Sequence, residues 1–269
     1  MQLLKIVWDV NPEFFSAGPI SLRYYGLMWA TAFALGYFIF GGMAQRERLP
    51  QRFLDTLTIY MIVATVLGAR LGHCLFYEPS YFMAHPLEVF AIWQGGLASH
   101  GAAVGILVAV GLVARRWGLP ALYVLDRVVV PIALGGALVR LGNLMNSEIY
   151  GHATELPWGM VFVRAGEVLP KHPTQLYEAL AYGALFVGLW VCYRRRCGLM
   201  PLGFVFGIFL VGLFAARFGI EFLKEPQVEF EQHLPLNMGQ LLSLPFIAAG
   251  IYLIIKSLRS GRTFIYEPQ

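Results

Sequence analysis

Three arginines sit in stretches that are otherwise apolar: Arg70 in VLGARLGHC, Arg140 in LGGALVRLGNLMN and Arg217 in GLFAARFGIEFL. A guanidinium is a permanently charged planar fork of donors, matched in shape to a carboxylate or a phosphate. Held at the centre of an apolar helix it costs about 2.5–3.5 kcal/mol on insertion scales, and less near an end. Each arginine therefore needs an anion. Glu221 stands four residues after Arg217, so an ion pair along one helix face is one solution. An anion from outside the chain is the other.

Two further groups carry chemistry. In RLGNLMNSEIYG, residues 140–151, Arg140, Asn143 and Asn146 recur every three residues and would share one face if the helix continues that far, with Glu148 just beyond. Helix-end capping by Asn and Ser accounts for one or two of these side chains, but not for the whole group. His100 lies in GGLASHGAAVG, where Gly95, Gly96, Gly101 and Gly105 let backbone or substrate approach closely. A lone helical histidine is more often a satisfied core residue; an imidazole of ordinary pKa about 6.5 also suits a general base. His172 falls in KHPTQLYE, which reads as a helix start. His73, His85, His152 and His233 show no metal-ligand spacing, and HExxH, GxSxG and Walker patterns are absent. Neither a metal nor another cofactor is expected. Cys74, Cys192 and Cys197 form no CxxC pair and are expected to be reduced and inert.

The elements that must hold these residues follow from composition. The chain has 269 residues, 58% hydrophobic and 13% charged, with mean hydropathy +0.62, too apolar for a soluble interior to hide. A span takes about 20 apolar residues, and seven candidates appear, at about 24–42, 54–77, 96–114, 123–141, 174–193, 202–223 and 238–255. The fold expected is an all-α polytopic membrane protein, a single domain over 1–269 with a small outer-face cap at 142–173, which contains the β-prone WGMVFV. Residues 78–94, mixing aromatics, prolines and acids, suit a short element lying in the interface. Gly68/Gly72 and Gly101/Gly105 allow close helix contact. The first residues, with Asp9, Pro12 and Glu13, do not read as a cleaved signal peptide.

The net charge of +4 does not point to nucleic acid, because the basic residues fall in short clusters between spans. One side holds Arg46, Arg48, Arg52, Arg115, Arg116, Arg194, Arg195, Arg196, Lys256, Arg259 and Arg262. The other holds Lys5, Arg164, Lys171 and Lys224, with Arg23 at the edge. The positive-inside rule makes the first side cytoplasmic, the N-terminus outside and the C-terminus inside. Arg140 and Arg217 then lie toward the outer ends of the fourth and sixth spans. There the anion most available to a guanidinium fork is a phospholipid head group. Glu148, Glu178 and Glu221 would limit the cost of holding the arginines without lipid.

In this order, LRYYGLMW (22–29), LGARLG (67–72), GGLASHGAAVG (95–105), RLGNLMNSEIYG (140–151), KHPTQLYE (171–178), ARFGIEFLKEPQ (216–227) and NMGQLLSLP (237–245) cover nearly the whole chain. The chain in this respect resembles the bacterial prolipoprotein diacylglyceryl transferases. The resemblance implies a bacterial inner-membrane enzyme, monomeric, with its active site toward the outer face. It would move diacylglyceryl from phosphatidylglycerol to the lipobox cysteine of a preprolipoprotein, releasing glycerol phosphate. It also implies functional roles for Tyr25, His100, Arg140, Asn143, Glu148, Gly151, Arg217 and Glu221. His100, Arg217, Glu221 and Tyr25 would be catalytic; Arg140, Asn143, Glu148, Gly151 and Arg217 would bind the phospholipid. Arg70, Asn146, Gln175, Tyr177 and Glu178 would support them.

The chain departs from the family pattern at Ala102, at Ser147 and at Leu213, where a tyrosine would be expected one turn before Arg217. That puts a phenol at that position in doubt. A transporter would instead show an internal repeat with broken helices in both halves, and the polar motifs here all differ. A phospholipase would need a recognisable nucleophile, and a phosphatidyl transferase clustered aspartates. Neither pattern is present in the sequence.

Overall fold

A computed structural model of the chain describes residues 6–18, 20–92, 95–196, 199–225 and 236–267. Lys5, Cys197, His233 and the last two residues of the 78–94 and 216–227 stretches lie outside these. In order, the elements are β1 (Ile6–Trp8), β2 (Glu13–Ala17), β3 (Ile20–Arg23), α1 (Tyr24–Arg46), α2 (Gln51–Phe76), α3 (Pro79–Ala84), a 3-10 turn (Pro86–Phe90) and α4 (Ser99–Arg116). They continue with α5 (Ala121–Met145), β4 (Met160–Phe162), a 3-10 turn (Val163–Ala165), α6 (Thr174–Arg196), α7 (Phe204–Glu221) and α8 (Met238–Ser260). All of α1, α2, α4, α5, α6, α7 and α8 are long and apolar enough to cross a membrane. These seven are the spans read from sequence, shifted at their ends by a few residues. The molecule is an all-α polytopic membrane protein.

Local chemistry sets the helix ends. Pro50, Pro120 and Pro173 stand just before α2, α5 and α6, where a missing N–H costs nothing. Asn237 and Gln240 form a reciprocal capping box at the start of α8, and Gly261 closes it in a left-handed conformation.

Contacts divide the chain into two compact units, Met1–Ile39 with Asp126–Thr263, and Phe40–Leu125 with Phe264–Gln269. In the second, α2 packs on α4 through the glycine pairs foreseen in the sequence. A Cβ on Gly68, Gly101 or Gly105 would run into the backbone of the facing helix. Small residues give this close approach, which dispersion and not water drives in a membrane. Gly101→Ala is expected to lower stability by about 1–3 kcal/mol, read as a lower thermal midpoint in detergent. An unchanged midpoint would mean that the helices pack along another seam.

In the first unit α7 packs on α8, with Gly207 against the backbone of Gly250. Buried Asp126, on α5, accepts hydrogen bonds from the N–H groups of Gly203 (2.7 Å) and Phe206 (2.8 Å). A helix start whose own Gly203 has no side chain is thus capped from a neighbouring helix.

Residues 142–173 fold around Leu144, Met160 and Phe162, with Trp8, Tyr150 and Leu176 packed against them. The β-prone piece becomes β4, and its partner, unforeseen in the sequence, is β1, paired in parallel from Ile6↔Met160 to Trp8↔Phe162. Trp8 also donates its indole N–H to the Leu144 carbonyl (3.0 Å). In this segment the Tyr150 hydroxyl donates to Glu167 (2.8 Å). Burial and that carboxylate push its phenol up to about 12. Lys171 reaches Glu225 (2.5 Å) and Glu167 (3.3 Å), and these bonds hold its ammonium above the usual lysine range. Burial, with His152 nearby, moves His172 the other way.

Candidate active site

The site residues read from the sequence fall into both units. The first holds Tyr25, Arg140, Asn143, Asn146, Glu148, Gly151, Gln175, Tyr177, Glu178, Arg217 and Glu221; the second holds Arg70 and His100.

In the first unit a connected charge cluster is built from the C-terminal ends of α5 and α7 and the N-terminal end of α6. Its centre is Glu178, in the second turn of α6 and fully buried. Arg140 Nε lies 3.0 Å from Glu178 Oε2, an ion-pair contact without hydrogen-bond alignment. The Lys224 ammonium donates to Glu178 Oε1 at 3.0 Å and to Glu221 Oε2 at 3.2 Å. The Tyr182 hydroxyl donates to Glu178 Oε1 at 3.3 Å. Three positively polarised groups thus offset the cost of burying one carboxylate.

From Arg140 the network runs on past the end of α5. Arg140 Nη1 donates to Asn143 Oδ1 (3.4 Å), and Asn143 Nδ2 donates to Glu148 Oε1 (3.2 Å). Asn146 Nδ2 reaches the same oxygen at 2.9 Å. The three-residue spacing read from the sequence thus does gather Arg140, Asn143 and Asn146 on one side, converging on Glu148. Arg140 still has its Nη2 without a partner among the described residues.

Glu148 occupies a strained turn. Ser147 (φ 54°) and Ile149 (φ 62°) on either side are both in the left-handed region, which a β-branched residue rarely adopts. The first residues of α6 hold it there. Thr174 Oγ1 donates to the Ile149 carbonyl (2.7 Å), and Gln175 Nε2 to the Glu148 carbonyl (2.6 Å). Both side chains are fully buried. Gly151 and Gly239 act through space alone. A Cβ on Gly151 would strike the Leu223 carbonyl, and one on Gly239 would stand 2.5 Å from the carboxyl carbon of Glu221. Tyr25 is the second residue of α1, and its ring lies so close to Gly142 that a Cβ there would be 2.8 Å away. The Tyr177 hydroxyl accepts from Trp158 Nε1 (2.8 Å) and meets His172 Nδ1 at 3.2 Å.

Arg217 differs from the other cations. The Arg217–Glu221 pair that the spacing offers does not form, because Glu221 is taken by Lys224. Among the described residues, Arg217 has no carboxylate within ion-pair reach and no hydrogen-bond partner. Its electrostatic neighbours include Tyr182, which it shares with Glu178 and Arg140. Lys224 and Tyr182 are the two cluster members that sequence reading passed over. The signals were available: Lys224 follows Glu221 by three residues and Tyr182 follows Glu178 by four. Leu213 brings no phenol, and the phenol in this cluster is Tyr182.

In the second unit, Arg70 is buried and has no carboxylate within ion-pair reach among the described residues. Its guanidinium donates to the carbonyls of Glu88 (2.6 Å), Val89 (2.9 Å), Gly95 (2.7 Å) and Gly96 (3.4 Å), and lies 5.0 Å from the centre of the Phe82 ring. It clamps the segment between α2 and α4. His100 is exposed in the first turn of α4, with the Tyr77 ring stacked on it at 5.8 Å and the edge of Phe76 at 5.4 Å. Among the described residues no group of His, Cys, Asp and Glu side chains is placed to hold a metal ion.

A family model described as "Prolipoprotein diacylglyceryl transferase" matches residues 12–256. A phosphatidylglycerol–prolipoprotein diacylglyceryl transferase of Tolumonas auensis is 45% identical over 94% of this chain and 97% of its own. Proteins of the same name from Chloroherpeton thalassium and Porphyromonas gingivalis are each 43% identical over 96% of both chains. On these matches and on its seven apolar helices, the chain belongs to the prolipoprotein diacylglyceryl transferase family.

Proposed function

We propose that this chain transfers diacylglyceryl from phosphatidylglycerol to the lipobox cysteine of a prolipoprotein, as a monomer in the bacterial inner membrane, with its site toward the outer face. The observation that carries this reading is Arg217, a cation without an ionic partner among the described residues, beside a cluster whose acids are already matched. Glu178 and Glu221 are bridged by Lys224, and Arg140 is held by Glu178 and Asn143 with part of its fork still open. A phosphodiester entering between Arg140 and Arg217 supplies the missing negative charge and accepts forked hydrogen bonds. Lipid is thereby bound by its phosphate, and the cluster behind it keeps the guanidinium of Arg140 from turning away. Glu148, fixed by its strained turn and by two asparagines, faces the same network and suits the hydroxyls of the glycerol head group.

The reaction needs a thiolate. A cysteine of ordinary pKa about 8.5 is a few per cent ionised near neutrality, and transfer of its proton to an imidazole of about 6.5 is uphill by about 2.7 kcal/mol. His100 takes that proton. Sulfur then attacks the diacylglycerol carbon bonded to the phosphate oxygen. A C–S bond forms, the C–O bond breaks with its electron pair going to oxygen, and glycerol phosphate leaves carrying one more negative charge. Arg217 and Arg140 stabilise that developing charge. Residues 142–173 form the small outer cap over one membrane domain.

Purified protein, phosphatidylglycerol vesicles and a lipobox peptide should yield a thioether-linked diacylglyceryl peptide by mass spectrometry. The same peptide with Cys replaced by Ser should remain unmodified. Failure to form the thioether would overturn the proposal.

A further inference from the structure

A general-base histidine is usually oriented by a hydrogen bond from its second ring nitrogen to a carboxylate or carbonyl. Within its own unit, and among the described residues, His100 has only ring contacts. Its imidazole is stacked on Tyr77 (5.8 Å between centroids, planes 27° apart) and meets the edge of Phe76 (5.4 Å, 75°). Tyr77 is itself stacked on His73 (5.5 Å, 17°). The phenol ring thus lies between two imidazoles, at the end of α2 and the start of α4. His73 is fixed in turn: a Cβ on Gly96 would stand 2.6 Å from its ring and 2.9 Å from Arg70 Nη1. The Gly95 and Gly96 carbonyls are the ones that Arg70 clamps. A continuous line of contact runs from Arg70 through the Gly95–Gly96 turn to His73, Tyr77 and His100.

We infer that Tyr77 is a positioning residue for His100, holding the imidazole plane by ring stacking where other enzymes use a hydrogen bond. This rests on the reading of His100 as the base of the transfer. Tyr77 is 64% exposed, so its hydroxyl is free to meet solvent or lipid and the ring face is the functional part. Stacking contributes modestly but directionally. The same line gives Arg70 its work, fixing the turn on which His73 rests.

The test compares Tyr77→Phe, which keeps the ring, with Tyr77→Leu, which keeps bulk and removes stacking. Tyr77→Phe should retain kcat within about twofold, whereas Tyr77→Leu should lose about tenfold in kcat with the KM for phosphatidylglycerol unchanged. In protein with isotope-labelled histidine, the ring-current shift on the His100 ring protons should persist in Tyr77→Phe and vanish in Tyr77→Leu. Placed on a His100→Ala background, Tyr77→Leu should cause no further loss. If it lowers that residual rate by the same factor, or if Tyr77→Leu turns over as fast as the parent, the positioning role is wrong. If His100→Ala itself transfers at full rate, the reading of His100 as base fails instead.

Discussion

Replacing Arg217 with glutamine is expected to slow transfer about 100- to 1000-fold while changing the unfolding free energy by no more than about 0.5 kcal/mol. The two halves of this expectation have one cause. Among the described residues Arg217 makes no ion pair, so its removal strands no buried acid, and glutamine occupies much of the same volume. What disappears is the charge placed to meet the leaving phosphate, and a single such donor is worth about 10²–10³ in rate. Arg217→Lys should recover part of the loss, since it restores charge without the two-pronged geometry. Arg140→Gln should also abolish most transfer, but with a stability cost, because Glu178 then keeps only Lys224 and Tyr182. Parallel rate and melting measurements on the two glutamine variants separate the roles. If Arg217→Gln unfolds as readily as Arg140→Gln, then Arg217 is part of the scaffold and the proposed phosphate contact loses its support.

The largest effect on stability is expected at Glu178. It is fully buried and is the shared partner of Arg140, Lys224 and Tyr182. Its replacement by leucine leaves, among the described residues, a buried lysine with Glu221 and a partly buried arginine with only Asn143, and removing one member of such a group costs about 3–5 kcal/mol. Glu178→Gln should cost less, since the amide still offers an acceptor oxygen to Tyr182. Thermal unfolding of both variants in the same detergent reads this directly. A leucine variant as stable as the parent would show that α5, α6 and α7 are held by apolar packing and that the ionic cluster adds nothing to it.

The spans were legible because apolar runs and basic clusters report on lipid directly, and their ends needed only Pro50, Pro120, Pro173 and Asn237. The glycine seam between α2 and α4 was legible too, since small residues four apart on each helix have one physical use. What the sequence hid was pairing. β1 is three residues long, and nothing in IVW names WGMVFV as its partner across more than 150 positions. In the site, spacing along one helix correctly joined Arg140, Asn143 and Asn146. The same reasoning misjudged Glu221, because its cation comes from Lys224, which Glu178 on another helix also draws in. The partners of Arg70 were hidden for a related reason. They are backbone carbonyls, and a backbone carbonyl leaves no signature in a sequence.

The turn around Glu148 has a consequence for how this chain can change. Ser147 and Ile149 hold left-handed backbone that glycine would adopt without penalty. A library screened for heat resistance alone would therefore enrich small, permissive residues at these two positions. The same replacements widen the range of shapes open to the carboxylate between them. Selection for endurance and selection for turnover are therefore expected to pull residues 147 and 149 in opposite directions.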